Sequence, residues 1–231
     1  KGPIAGLPSQ DGRPAIGPYR SRRCFHMSRI MNAADQSALI RLAAALPKGD
    51  ESRRVLLSRI KIALRLRQFE ALMGMGKRFG VLSAYGPGSK NENQQRNGQL
   101  FGHLQSLGYR KIHPLRGSWQ GVAEKSVLVP NMTFKDVVKL GRDFDQDSVI
   151  YKHPSGVIGM YYLKDGTAEF AVEEDGNLAA AWEANKSLYS KARGISFEFG
   201  FLWGQKVPWN GTTPYTKKGL TRLLESGQLS F

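Results

Sequence analysis

Residues 81–97, VLSAYGPGSKNENQQRN, run from a β-like stretch through a glycine turn into a polar helix start, the order in which a phosphate-cradling loop is built. Such a loop follows GxxxxGK[ST], because backbone N–H groups wrap the phosphates and the last hydroxyl binds magnesium. Here Ser89 stands where the second glycine is required, Asn91 replaces the hydroxyl residue, and Pro87 has no N–H to give. No Asp-terminated apolar strand supplies a second magnesium ligand. Gly86-Pro87-Gly88 therefore reads as a tight turn. The helix after it carries Glu92, Arg96 and Asn97 within a turn and a half, with Gln99 and His103 on nearby faces. One reading is an intrahelical Glu92–Arg96 pair among solvated polar groups. The other places Glu92, Arg96 and Asn97 at the carboxyl end of a strand, where α/β sheets take ligands. Gln146 joins them there, and the four residues would line a pocket for a nucleotide or nucleic acid.

Other constellations read as structural. Asp143, Asp145 and Asp147 alternate, but the glycine and glutamate of a calcium loop do not fall in register, so solvated acids after a helix are expected. One cysteine, Cys24, permits no disulfide and no cysteine-based zinc site within the chain, and His26, His103, His113 and His153 show no metal-binding spacing. No metal and no cofactor are expected, and no Ser-His-Asp or Cys-His set is present. Aromatic residues near the C-terminal end interleave with Lys186, Lys191, Arg193, Lys206, Lys217 and Lys218, as a base-stacking surface would. The strict alternation of Ile195, Phe197, Phe199, Phe201 and Trp203 favours one buried strand face instead.

These groups need elements to hold them. Asn32 and Asp50 are placed to cap two helices separated by Pro47-Lys48-Gly49. The second, reaching about Met75, sets Arg54, Ser58, Lys61, Arg65 and Gln68 on one face. Next come a strand over Phe79–Tyr85, a helix over Asn91–Leu107, and strands over Arg110–Arg116 and Lys125–Val129 joined through a turn at residues 117–121. Thr133 caps a helix to about Phe144, and Ser148–Tyr151 and Val157–Leu163 form a hairpin. This order, βαββαββ, predicts an α+β fold with a small mixed, mostly antiparallel sheet covered by two helices. A helix within Asp175–Tyr189, a strand over Ile195–Trp203 and a short helix near Leu220–Glu225 complete the chain. The expected divisions are a basic Gly/Pro/Arg-rich arm (1–31), a basic helical hairpin (32–76), an α/β core (77–172) and a C-terminal extension (173–231).

The 231 residues carry 34 Lys+Arg against 19 Asp+Glu, a net +15. The surplus is uneven: residues 1–80 hold 16 basic and 5 acidic residues, residues 81–231 hold 18 and 14. A basic front end on a near-neutral body points to nucleic acid or another polyanion, with Arg22, Arg23, Arg53, Arg54, Lys61 and Arg65 as the candidate contacts. Residues 1–30 lack periodicity. An organelle-targeting segment, or a natural start at Met27 or Met31, are the alternatives to an arm. No apolar run approaches the roughly 20 residues of a membrane span. A reducing cytoplasmic or virion-associated setting is expected, with protein assembly partners as a further possibility.

The succession SAYGP…NENQQRNGQLFGHLQSLGYRKIHPLRGSWQG…EKSVLVPNMTFKDVVKLGRDFDQDSVIY, then YYLKDG and YSKARGISFEF, resembles a domain family of unknown function in bacteria and their tailed phages. The resemblance spans roughly Phe79–Phe199 and falls on Glu92, Arg96, Asn97, Gly117, Trp119, Gly121, Glu124, Gly141, Gln146 and Ser148. Asp145 stands where the family pattern has glycine. Ser37–Leu57 also resembles short N-terminal helical hairpins of phage-encoded proteins. The resemblance implies a phage or bacterial setting and no particular activity. Together these features lead to an expectation of a non-enzymatic accessory or structural protein contacting nucleic acid or assembly partners. The alternative is a small enzyme built on Glu92, Arg96, Asn97 and Gln146.

Overall fold

The computed structural model describes residues 33–119, 122–171, 179–180, 188–193, 195–198 and 205–229. Two helices come first, α1 (Ala33–Ala45) and α2 (Glu51–Met73). The Asp50 carboxylate accepts the Ser52 N–H at 2.7 Å and so starts α2, and Gly74, at φ 69°, ends it in the left-handed conformation. Arg53 reaches back to donate to the Leu46 carbonyl at 3.2 Å, fixing the turn between the helices.

Then follow β1 (Phe79–Ser83), α3 (Lys90–Ser106), β2 (His113–Trp119), β3 (Val122–Pro130), α4 (Phe134–Asp143), β4 (Ser148–Lys152) and β5 (Ile158–Tyr162). This is the expected βαββαββ order. Beyond it lie β6 (Thr167–Ala171), β7 (Ala179–Ala180), β8 (Leu188–Ala192), β9 (Ile195–Glu198), β10 (Val207–Pro208) and α5 (Lys217–Glu225). The strands form one sheet in the order β10-β6-β5-β4-β1-β3-β2-β8-β9-β7. Every pairing among the described strands is antiparallel, so the sheet is neither mixed nor confined to the βαββαββ unit. The reason is local. The β2–β3 and β4–β5 hairpins set their own partners antiparallel, and β1 slots between β3 and β4 running against both.

Alternation along the central strands separates two cores. Leu82, Val127 and Val129 face α3 and α4, where they meet Leu100, Leu104, Val137 and Leu140. Val81 and Leu128, one residue out of phase, face the other way onto Phe69 and Met73 of α2. The expected pair of helices thus covers one face, and the end of α2 covers part of the opposite one. Burial on both sides explains why FGVLS of β1 is enclosed at every position. Two glycines permit the close approach of α4. A Cβ on Gly80 would lie 2.8 Å from the Met132 sulfur, and one on Gly141 would lie 2.6 Å from Val149.

Three expectations are corrected. The stretch 117–119 belongs to β2 and not to a turn, because it pairs with β8 as well as β3. Leu188 and Tyr189 lie in β8 and not in a helix. The first strand of that hairpin begins at His113, not Arg110. In β9, Phe197 is fully buried with its ring 5.1 Å from that of Phe69. Phe199, Phe201 and Trp203 lie outside the described residues, as do residues 1–32. The Pro/Gly-rich stretch near the C-terminal end packs too, since Trp209 and Leu229 are buried in the α3/α4 core.

Phe197 fills the space between α2 and the far strands, so Phe197→Ala should cost about 3–5 kcal/mol, as for other buried aromatics. Chemical denaturation measures it; a midpoint equal to that of the unmodified protein would place this ring outside the core.

Candidate functional site

The candidate site lies where β1 leaves the sheet. Ser89 caps α3 with a complete capping box: its hydroxyl accepts the Glu92 N–H at 3.2 Å, and the Glu92 carboxylate accepts the Ser89 N–H at 2.6 Å. Glu92 is therefore a helix-starting residue. No ion pair joins it to Arg96, contrary to the intrahelical pair that their spacing suggests. The Ser89 backbone N–H, and then its hydroxyl, hold the Glu92 carboxyl below the usual carboxylate range.

Arg96 turns toward the strand exit. Its Nε donates to the Ala84 carbonyl at 2.6 Å, its Nη2 donates to the Phe144 carbonyl, and its guanidinium carbon lies 5.9 Å from the Phe144 ring centre. Gln146 comes from the opposite direction. Its Nε2 donates to the Tyr85 carbonyl at 2.8 Å and to the Phe144 carbonyl at 3.2 Å. Arg96 and Gln146 thus meet on one acceptor, as the topology of two helices beside neighbouring strands predicts. Asn97 does not complete the set. No hydrogen bond joins it to Gln146, and its Oδ1 is buried without a partner.

Asn93, which no sequence motif singles out, does more than Asn97. Its Oδ1 accepts the Gly86 N–H at 2.8 Å and its Nδ2 donates to the Gly86 and Gly88 carbonyls at 3.1 and 3.4 Å. Its only sequence signal is an amide placed one turn inside a capped helix, after a glycine turn. Ser83 Oγ accepts the Tyr85 N–H at 2.9 Å and donates to the Lys125 carbonyl at 2.8 Å. The N–H groups of Tyr85, Gly86 and Ser89 are all spent within the protein, and Glu92 puts a carboxylate against the loop. A phosphate finds no cradle there. The turn is a turn.

Nearby carboxylates are occupied as well. Lys164 pairs with Asp145 at 3.3 Å and Asp147 at 2.9 Å, and Lys139 pairs with Asp143. Asp145 adopts φ 53°, a left-handed conformation that aspartate tolerates better than most residues. Glu124 is pushed up chiefly by burial, with Asp147 adding repulsion. Among the described residues no three His, Cys, Asp or Glu side chains are grouped to hold a metal ion.

The basic candidates separate. Arg53 is half-buried on Leu46, and Arg54 pairs with Glu51 at 2.7 Å. Lys61 and Arg65 are exposed on α2 with no ion pair to a described residue. Arg22 and Arg23 lie outside the described residues. Among the described residues no helix is long and apolar enough to cross a membrane.

Removing the Gln146 amide strands the Tyr85 carbonyl, so Gln146→Ala should lower stability by about 1–3 kcal/mol, the usual penalty for a buried polar group left unpaired. Unchanged unfolding free energy would disprove the clasp. The Glu92 support is present above the unfolded-state pKa and lost as pH falls through the lowered folded value. Carboxyl NMR titration should therefore place the Glu92 midpoint below that of a free glutamate, and Ser89→Ala should move it back up.

A search of curated proteins found no match to the chain. Residues 83–149 do match a family model, and they contain the whole clasp from Ser83 to Gln146. That stretch is shorter than the span suggested by the sequence motifs. By this match, the segment that carries the clasp is similar to an uncharacterised domain family described as protein of unknown function (DUF3293).

Proposed function

We propose that the protein is a non-enzymatic accessory or structural protein, bacterial or phage-associated, that contacts nucleic acid through basic surface groups. The observation that carries this reading is a contrast in how polar groups are used. Arg96, Gln146 and Asn93 spend their donors on backbone carbonyls of their own fold, and Glu92 caps a helix. Groups committed in this way are poorly placed to bind and release a substrate. Lys61 and Arg65, by contrast, stand exposed and unpaired with any described acid on a helix of a strongly basic chain. The phage or bacterial setting rests on the sequence resemblance. The enzyme alternative retains one supporting observation, the unpartnered Asn97 Oδ1, which a ligand donor would satisfy.

Point substitutions test the reading better than truncation, because removing residues 1–78 would strip Phe69 and Met73 from the core. In the full chain, Lys61→Glu with Arg65→Glu should weaken binding to mixed-sequence DNA or RNA. It should also reduce the slope of log affinity against log salt by about 2, roughly one for each phosphate no longer neutralised. An unaltered slope would remove α2 from the interface.

A further inference from the structure

The register of three neighbouring strands produces a feature that no segment of the sequence displays alone. Arg116 of β2 lies directly opposite Lys125 of β3 on one side and directly opposite Lys191 of β8 on the other. Residues paired in this way project from the same face of the sheet with Cβ atoms about 5 Å apart. Lys125, Arg116 and Lys191 therefore form one row across three strands, about 10 Å long at the usual strand spacing. All three are exposed. None makes an ion pair with a described residue. Like charges set directly opposite one another destabilise a sheet, and here that arrangement occurs twice in succession with no acid between.

The face on which the row lies follows from its neighbours. Leu115, between Pro114 and Arg116, is buried in the α2-side core, so Arg116 projects to the opposite face. Lys125 shares that face with Val127, which is buried beneath α3 and α4. The helical layer ends between Val127 and Lys125, and the basic row begins where it stops. On β2 the same face also holds Ser118, whose Oγ is buried without a hydrogen-bond partner.

We infer that the Lys125–Arg116–Lys191 row is a binding surface for the phosphodiester backbone of single-stranded nucleic acid. A line of cations on an exposed sheet face matches the linear run of phosphates that an unpaired strand presents. An anionic membrane is the weaker fit. The exposed large apolar side chains of the described residues are on α1 and α2 and at Leu107, and none is on β2, β3 or β8. The surface is separate from α2, so it stands or falls independently of Lys61 and Arg65.

The test uses the full chain and a labelled mixed-sequence single-stranded oligonucleotide, with anisotropy measured over a salt series. The variant Arg116→Gln, Lys125→Gln, Lys191→Gln removes the mutual repulsion and should melt at or above the temperature of the unmodified protein. Its affinity should fall at least tenfold at low salt, and the slope of log affinity against log salt should shrink by about 2, the single-strand value for three phosphates left without a cation. A control triple, Lys135→Gln, Lys217→Gln, Lys218→Gln, removes the same net charge from exposed positions on α4 and α5 and should change affinity far less. Equal losses in the two triples would reduce the effect to net charge and overturn the proposal. So would an unmodified protein that does not bind the oligonucleotide, or one that prefers duplex. Row-dependent binding to phosphatidylserine vesicles, with oligonucleotide affinity unaffected by the row variant, would assign the surface to a membrane instead.

Discussion

Where β1 leaves the sheet, residues 84–86 run on without a strand partner, and a buried backbone polar group must find one. Ala84 is fully enclosed. Its carbonyl takes Arg96 Nε, that of Tyr85 takes Gln146 Nε2, and that of Gly86 takes Asn93 Nδ2. The need to pair these three carbonyls positions α3, since two of the donors stand on its first turns. It also positions the junction between α4 and β4, since the third donor stands there. The fixed fork of a guanidinium suits this task, because two N–H groups diverge toward carbonyls at residues 84 and 144. A lysine at the same place would reach one carbonyl at a time.

Arg96 has a second consequence for α4. Phe144 is the C-cap of that helix, so its carbonyl lies among the unpaired acceptors at the negative end of the helix dipole. A cation donated there closes α4, and Gln146, whose own N–H binds the Gly141 carbonyl at 2.8 Å, completes the turn. Gly141 lets the same helix sit tightly on Val149. Several positions on which the sequence resemblance falls, Arg96, Gly141 and Gln146 among them, thus hold one junction together.

The charge surplus is distributed differently. Groups around the clasp neutralise one another or bind backbone, whereas Lys61 and Arg65 on α2 and the three cations of the β3–β2–β8 face have no described acidic partner. A sheet that sets Lys125, Arg116 and Lys191 side by side accepts local repulsion that a single acidic neighbour would have relieved. An external anion would relieve it equally well.

Much of the local structure was legible in the residues themselves. Asp50 and Thr133 announce helix starts because a short side-chain oxygen close to the backbone satisfies N–H groups two or three residues ahead. The alternating and 3.6-residue patterns yield the βαββαββ order for the same reason: near neighbours along the chain decide them. The partner of Arg96 was not legible. Glu92 stands four residues away at favourable spacing, yet the carbonyl that wins is 48 residues distant and is brought near only when β4 pairs with β1. The strand nature of Leu188–Ala192 depended likewise on the free edge of β2, which overrode any helical tendency of its own. The basic row is the clearest case. Lys125, Arg116 and Lys191 are ordinary surface residues in sequence, and they become a row only through hydrogen-bond register, a property of strand pairs that no single segment contains.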